Sequence, residues 1–259
     1  MGPLHYLERM TYPKVERLAT RTELALLPIG PPEAHGPHLP LGTDLLAARE
    51  LCERAGRELE AQGIECVIAP LLPYCLAEVA KPFPGTITVR AEVVAALVED
   101  ICRGLACSGF RRTLIVSGHA EEENLAALGT GAAQAGKAGA LVKVSRWYGD
   151  ALPELLHLLE EDHPEYDIHA GEWETALVLL KAPELVDQTA LDALSPNWAI
   201  RTISDRRAAG ARTFPELGAR EAYCGDPRRA TPNVAERLYA ALGKFVAEEG
   251  ASLLRSRAP

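Results

Sequence analysis

Aromatic side chains are scarce here, at 5% of 259 residues, so aliphatic side chains and alanine must fill most of the interior. An excess of basic residues is missing too. The formal net charge of −9 gives no support to binding of nucleic acid or of an anionic membrane surface, and the acidity reads as solubility. No run of about 18 consecutive apolar residues exists to cross a bilayer. Met1 to Thr11 holds no apolar run flanked by basic residues, so no signal peptide is expected and the cytoplasm is the default location. None of the six cysteines forms a C-x-x-C pair. Cys52, Cys66, Cys75, Cys102, Cys107 and Cys224 are scattered through apolar segments, as buried thiols of a reducing compartment would be, and a zinc finger is disfavoured. Repeats and Gly/Ser-rich linkers are also absent, so residues 1–259 are expected to form one domain.

What is present is an alternation of strand and helix patterns. Leu24–Ile29 (LALLPI) reads as a buried strand. Leu45, Ala48, Cys52, Ala55 and Leu59 then recur at helical spacing, with Gly63 as a stop. Glu65–Ala69 reads as a second strand, and Val93, Val94, Leu97, Val98, Ile101 and Leu105 mark an amphipathic helix. Thr113–Ser117 is a β-branched strand, followed by a helix from Asn124 to about Gly136 and a strand over Ala140–Val144. Trp173–Leu180 reads as helix. Thr231 and Pro232 make a good start for a last one, with threonine as cap and proline in the first turn. Residues 182–230 are rich in turns. The alternation predicts an α/β fold with a mostly parallel sheet covered on both faces. Sites in such sheets lie beyond the carboxyl ends of the strands.

Three segments at those places carry chemistry. Gly30–Asp44 (GPPEAHGPHLPLGTD) holds Glu33, His35, His38 and Asp44 in a loop stiffened by four prolines and three glycines. Glu33 and His35 are two apart, so in an extended segment they share a face with Cα atoms about 6.5 Å apart. Asp44 alone would read as a helix-start carboxylate; together with Glu33 and His35 it reads as a metal ligand. Ser117–Asn124 (SGHAEEEN) places His119 just past a strand end, beside the acidic run Glu121–Glu123. Two of those three glutamates read as a solvated helical turn. His169–Thr175 (HAGEWET) offers His169, Glu172 and Glu174, with Glu172 readable as a ligand, a general base or a group orienting a histidine. His5, His38, His157 and His163 are read as non-ligands. Trp147, Tyr148 and Trp173 are candidates for packing a flat substrate, against a plain packing role.

The string LPIGPPEAHGPHLPLGTD (Leu27–Asp44) resembles the signature of the creatininase family of amidohydrolases. PFPGTITV (Pro82–Val89), VSGHAEEEN, HAGEWETALVLL and GDPRRAT (Gly225–Thr231) resemble further family segments in the same order. The resemblance implies a three-layer α/β/α domain, a site for one or two divalent ions and assembly into homo-oligomers, commonly hexamers. It places Glu33, His35, Asp44 and His119 on metal ligands, with Asp44 as bridge and His169 as the proton-carrying histidine. For the fifth ligand it offers Glu121 and Glu172, and Glu172 is placed ahead, with a proton-carrying role as its alternative. Zinc is expected, with manganese or iron(II) as alternatives. The segment VSGHAEEEN departs from the family pattern at Ala120 and in its three glutamates, which leaves substrate identity open.

The function expected is hydrolysis of a non-peptide C–N amide bond in a small molecule, such as a lactam or formamide, by metal-activated water. A deformylase or peptidase acting on a biosynthetic intermediate is the nearest rival. A metal-free binding protein of the same fold is a rival of another class. A dinucleotide-dependent oxidoreductase is disfavoured, because no G-x-G-x-x-G follows the first strand.

Overall fold

A computed structural model describes residues 4–256. Five strands, β1 (His5–Tyr6), β2 (Leu24–Ile29), β3 (Val67–Ile68), β4 (Arg112–Ser117) and β5 (Leu141–Val144), form one sheet in the order β1-β3-β2-β4-β5. Every pairing is parallel. The helices are α1 (Tyr12–Ala19), α2 (Thr43–Ala61), α3 (Ala91–Cys107), α4 (Glu122–Lys137), α5 (Leu152–Leu155), α6 (Glu172–Lys181), α7 (Gln188–Ala193), α8 (Ile203–Ala208), α9 (Phe214–Leu217) and α10 (Pro232–Arg255). Parallel neighbours need crossovers, and the crossovers put helices on both faces, giving the three-layer α/β/α arrangement.

Strand alternation decides which face each side chain serves. Leu24 and Leu26 pack with Leu51 and Leu59 of α2 and with Leu238 and Leu242 of α10. Ala25, Leu27 and Ile29 face the other way, onto Val94 and Val98 of α3 and Leu128 of α4. The central pair β2–β4 is in register from Leu24↔Arg112 to Ile29↔Ser117, so both strands deliver their following loops to the same rim.

The expected strand over Glu65–Ala69 is shorter in the structure. Ala69 still donates to the Leu26 carbonyl at 2.9 Å, but Pro70 has no N–H to extend the ladder. The two-residue β1 is too short to show a period in sequence. Cys107 is exposed at the end of α3, unlike the other five cysteines, which are buried. Among the described residues no helix is long and apolar enough to cross a membrane.

Candidate metal centre

The loop after β2 is held open by its own backbone bonds. Glu33 N–H donates to Leu41 O, Ala34 N–H to Thr86 Oγ1, and Gly36, at φ +66°, donates to Ala222 O. The loop after β4 arrives beside it. Gly118 packs so closely on Asp44 that a Cβ there would overlap the Asp44 carbonyl oxygen. That backbone-to-backbone contact sets His119 next to the start of α2.

Four side chains read from the sequence come together there, all buried. His119 Nδ1 lies 2.7 Å from Glu33 Oε2 and 3.4 Å from Asp44 Oδ2. His35 Nε2 lies 3.2 Å from Asp44 Oδ1. A fifth group completes the set. It is Glu174, whose Oε1 is 3.6 Å from His35 Nε2. The donors thus form two clusters that share one carboxylate: Glu33, Asp44 and His119 on one side, and His35, Asp44 and Glu174 on the other. His169 can also group with Glu33 and His35.

The ligating atoms are aimed and left free. His35 Nδ1 is 3.0 Å from the Glu33 carbonyl, and donation there leaves Nε2 as the acceptor facing Asp44 and Glu174. Among the described residues, both Glu33 carboxylate oxygens, His35 Nε2 and Asp44 Oδ2 are buried without a hydrogen-bond partner. The short approaches between them lack hydrogen-bond geometry. Buried polar atoms are seldom left unpaired, and oxygen and imidazole donors crowded like this fit a divalent cation.

Charge tells the same story. Burial would raise the Asp44 carboxyl, but the His35 and His119 imidazoles overcome it and hold the group well below the usual range. Burial would likewise strip the proton from His35, yet Asp44 and Glu174 hold it on, well above the ordinary imidazole value. His119 is raised in the same way, against burial, by Glu33, Asp44 and Glu121. Burial lifts Glu33 to about 7. Protons here stand where a cation would be held.

Glu172 does not reach the cluster, which corrects its expected place as fifth ligand or proton carrier. Its carboxylate turns away and accepts the N–H groups of Glu160 and Glu161 at 2.8–2.9 Å. Residues two apart on a helix diverge by about 200°, so only one of Glu172 and Glu174 can face the cluster. Glu174 does, and Ala170 N–H donates to its Oε2. Ala170 takes φ +50°, a left-handed conformation that few non-glycine residues adopt, directly after His169.

Glu121 is near the cluster but occupied otherwise. One oxygen is 3.5 Å from His119 Nε2, and the carboxylate accepts the N–H groups of Glu78 and Val79. Burial would raise it; the His119 imidazole and those two amides hold it below the usual range. Its position is that of a group orienting His119 and tying down the 76–80 loop. His38 donates to or accepts from Thr175 Oγ1 through Nε2 at 2.8 Å and stays outside the clusters.

A cavity of about 190 Å³ opens above Glu33, Asp44, His119 and Glu174. His169 forms part of its wall, with Nε2 2.9 Å from the Ala34 carbonyl and the ring stacked on Phe214 at 4.3 Å. Burial and the nearby His35 hold this imidazole well below its usual value, so it is neutral. Tyr148 and Trp173 also line the cavity. Trp147 does not, which corrects its expected substrate contact: it is buried in the core and its Nε1 donates to Ser117 O at 2.9 Å. Phe214 and Arg207, on short helices from the turn-rich region, complete the mouth and carried no recognisable motif.

The chain is similar to known proteins over nearly its whole length. The family model for creatininase, described as creatinine amidohydrolase, matches residues 8–249. The chain belongs to the creatininase family. It is 28% identical over 230 residues to the mycofactocin precursor peptide peptidase of Mycolicibacterium smegmatis, covering 86% of this chain and 83% of that one. It is 30% identical over 196 residues to creatinine amidohydrolase of Pseudomonas putida, covering 70% and 74%. A crystal structure of creatininase superposes with a TM-score of 0.80 at 22% identity, over 99% of this chain and 100% of that one, which shows a shared fold. Solved creatininases of the same fold include a manganese form and a zinc–zinc form.

Proposed function

We propose that this creatininase-family chain is a divalent-metal-dependent hydrolase of a non-peptide C–N amide bond in a small molecule. The observation that carries the reading is the buried Asp44 carboxylate shared by two ligand clusters, one with Glu33 and His119, the other with His35 and Glu174. Those five side chains would hold one or two ions, zinc first, with manganese or iron(II) as alternatives. A divalent ion bound there supplies Lewis acidity, activating water and polarising an amide carbonyl.

The chain's own groups do the rest. With Nε2–H donating to the Ala34 carbonyl, neutral His169 keeps Nδ1 as an acceptor at the cavity wall. It can take a proton at Nδ1 and return it to the leaving nitrogen. Phe214, stacked on that ring, excludes water from its far face. Glu121 steadies His119, and Ala170 N–H steadies Glu174.

A peptidase reading has one specific support, the match to the mycofactocin precursor peptide peptidase of Mycolicibacterium smegmatis over more than four-fifths of each chain. The deciding experiment strips metal with chelator, confirms its removal by elemental analysis, and assays lactams, formamides and short peptides with and without zinc, manganese or iron(II). Metal-restored turnover of small amides and not of peptides is expected. Turnover that persists in demonstrably metal-free protein overturns the proposal, and turnover confined to peptides moves it to the second reading.

A further inference from the structure

The cavity has an acidic floor and one permanent cation at its mouth. Glu33, Asp44, Glu121, Glu122 and Glu174 line it, and Arg207 is the one arginine or lysine among the described lining residues. Arg207 lies on α8, four residues after Ile203, which also lines the cavity. That spacing puts both on one face of the helix, turned to the same space.

Its neighbours are tied down and it is not. Arg206 donates to Thr202 Oγ1 and to Glu216 O. Arg212 donates to the carbonyls of Arg207 and Ala211. The Arg207 guanidinium makes no hydrogen bond or ion pair among the described residues. It does not pair with Glu122, which also lines the cavity, and the floor carboxylates are the groups a divalent ion would satisfy. Around it the wall is apolar, built by Ile203, Phe214, Leu217, Val79 and Ile168. The wall is also fixed in place. Phe214 N–H donates to Val79 O at 2.9 Å, and Thr213 caps the N-terminus of α9 with a reciprocal capping box to Glu216.

We infer that Arg207 is a specificity residue that selects amides carrying a free carboxylate beside an apolar group. The planar guanidinium offers a two-pronged donor matched to a carboxylate, while the apolar wall takes the adjoining hydrocarbon. This inference rests on the amidohydrolase reading for the reaction, but its binding arm is independent of turnover.

The test uses the full-length metal-loaded protein and two isosteric probes, N-acetyl-leucine and its uncharged amide, N-acetyl-leucinamide. Binding is followed by calorimetry for the wild type, Arg207→Gln and Arg207→Lys. The side chain is exposed, so all three are expected to fold alike. Arg207→Gln should weaken the acid by about three- to tenfold and leave the amide unchanged; the lysine variant should lie between. With a hydrolysed pair of the same kind, the loss should fall on KM and not on kcat. If the acid keeps its full preference in Arg207→Gln, the carboxylate is read by the metal floor and the inference is overturned. Absence of any Arg207-dependent difference between acid and amide overturns it equally. Arg207-dependent acid binding in a protein that hydrolyses no amide would uphold the inference and reject the proposed reaction.

Discussion

Asp44 stands between two imidazoles, with Oδ1 3.2 Å from His35 Nε2 and Oδ2 3.4 Å from His119 Nδ1. One carboxylate therefore belongs to both ligand clusters. Asp44→Asn should cost more bound metal than the loss of any other single ligand, and should lower kcat/KM by about a thousandfold or more, as expected when Lewis acidity is lost. Elemental analysis of the purified variant, alongside an amide assay, checks this. Full metal content in Asp44→Asn would mean the shared-ligand assignment is wrong.

The two glutamates of the HAGEWET segment should separate cleanly. Glu174→Gln should lose up to one ion per chain, because its Oε1 faces His35. Glu172→Gln should keep its metal, because its carboxylate is spent on Glu160 and Glu161 N–H groups. Glu121→Gln should fall between, weakening metal affinity by about 10- to 100-fold, as for other groups that orient a ligating histidine. Metal titration of all three variants measures the order, and an order with Glu172→Gln at the bottom would make Glu172 the ligand in place of Glu174.

Glu172 also gives a pH dependence. Burial raises its folded-state pKa to about 7 from the ordinary value of 4.5, against the pull of the two backbone N–H groups. A raised folded pKa favours the folded protein below the unfolded value, and that contribution is lost as pH rises through about 7. Wild type should therefore lose stability relative to Glu172→Gln between about pH 5 and pH 8. Urea midpoints of both metal-loaded proteins across that window test it; parallel curves would show that Glu172 is not the titrating group.

Metal removal should destabilise the fold as well as silence it. An ion present at a hundred times its Kd contributes about 2.7 kcal/mol. The chelated protein should melt several degrees lower and recover when zinc, manganese or iron(II) is returned. An unchanged melting temperature on complete chelation would mean that no ion is held in the native state.

Trp147→Phe should behave as a core change. It removes the donor to the Ser117 carbonyl, and leaving a buried acceptor unpaired costs about 1–3 kcal/mol. KM should not move, since Trp147 is not part of the cavity wall. A rise in KM with unchanged stability would restore it as a substrate contact.

Much of this was readable in the residues. Leu24–Ile29 stands where the apolar run placed it, because a strand buried on both faces shows as continuous hydrophobicity. Glu33, His35, Asp44 and His119 converge because the register of β2 and β4 brings two rich loops to one rim. The resemblance offers Glu172 and Glu121 as fifth ligand and does not put Glu174 forward. Which glutamate of α6 faces the cluster depends on how that helix is turned against its neighbours, which tertiary packing sets and local sequence does not. Arg207 and Phe214 were invisible for another reason. They sit on short helices α8 and α9 whose placement comes from long-range bonds, such as Phe214 N–H to Val79 O, with no local period to announce it.

The press of Gly118 against the Asp44 carbonyl has a broader meaning. Because main chain meets main chain there, the spacing of the ligand floor is machined into the scaffold before any ion arrives. The residues higher on the cavity wall, Arg207 and Phe214 among them, take no part in that main-chain contact, so substitutions there leave the ligand spacing in place.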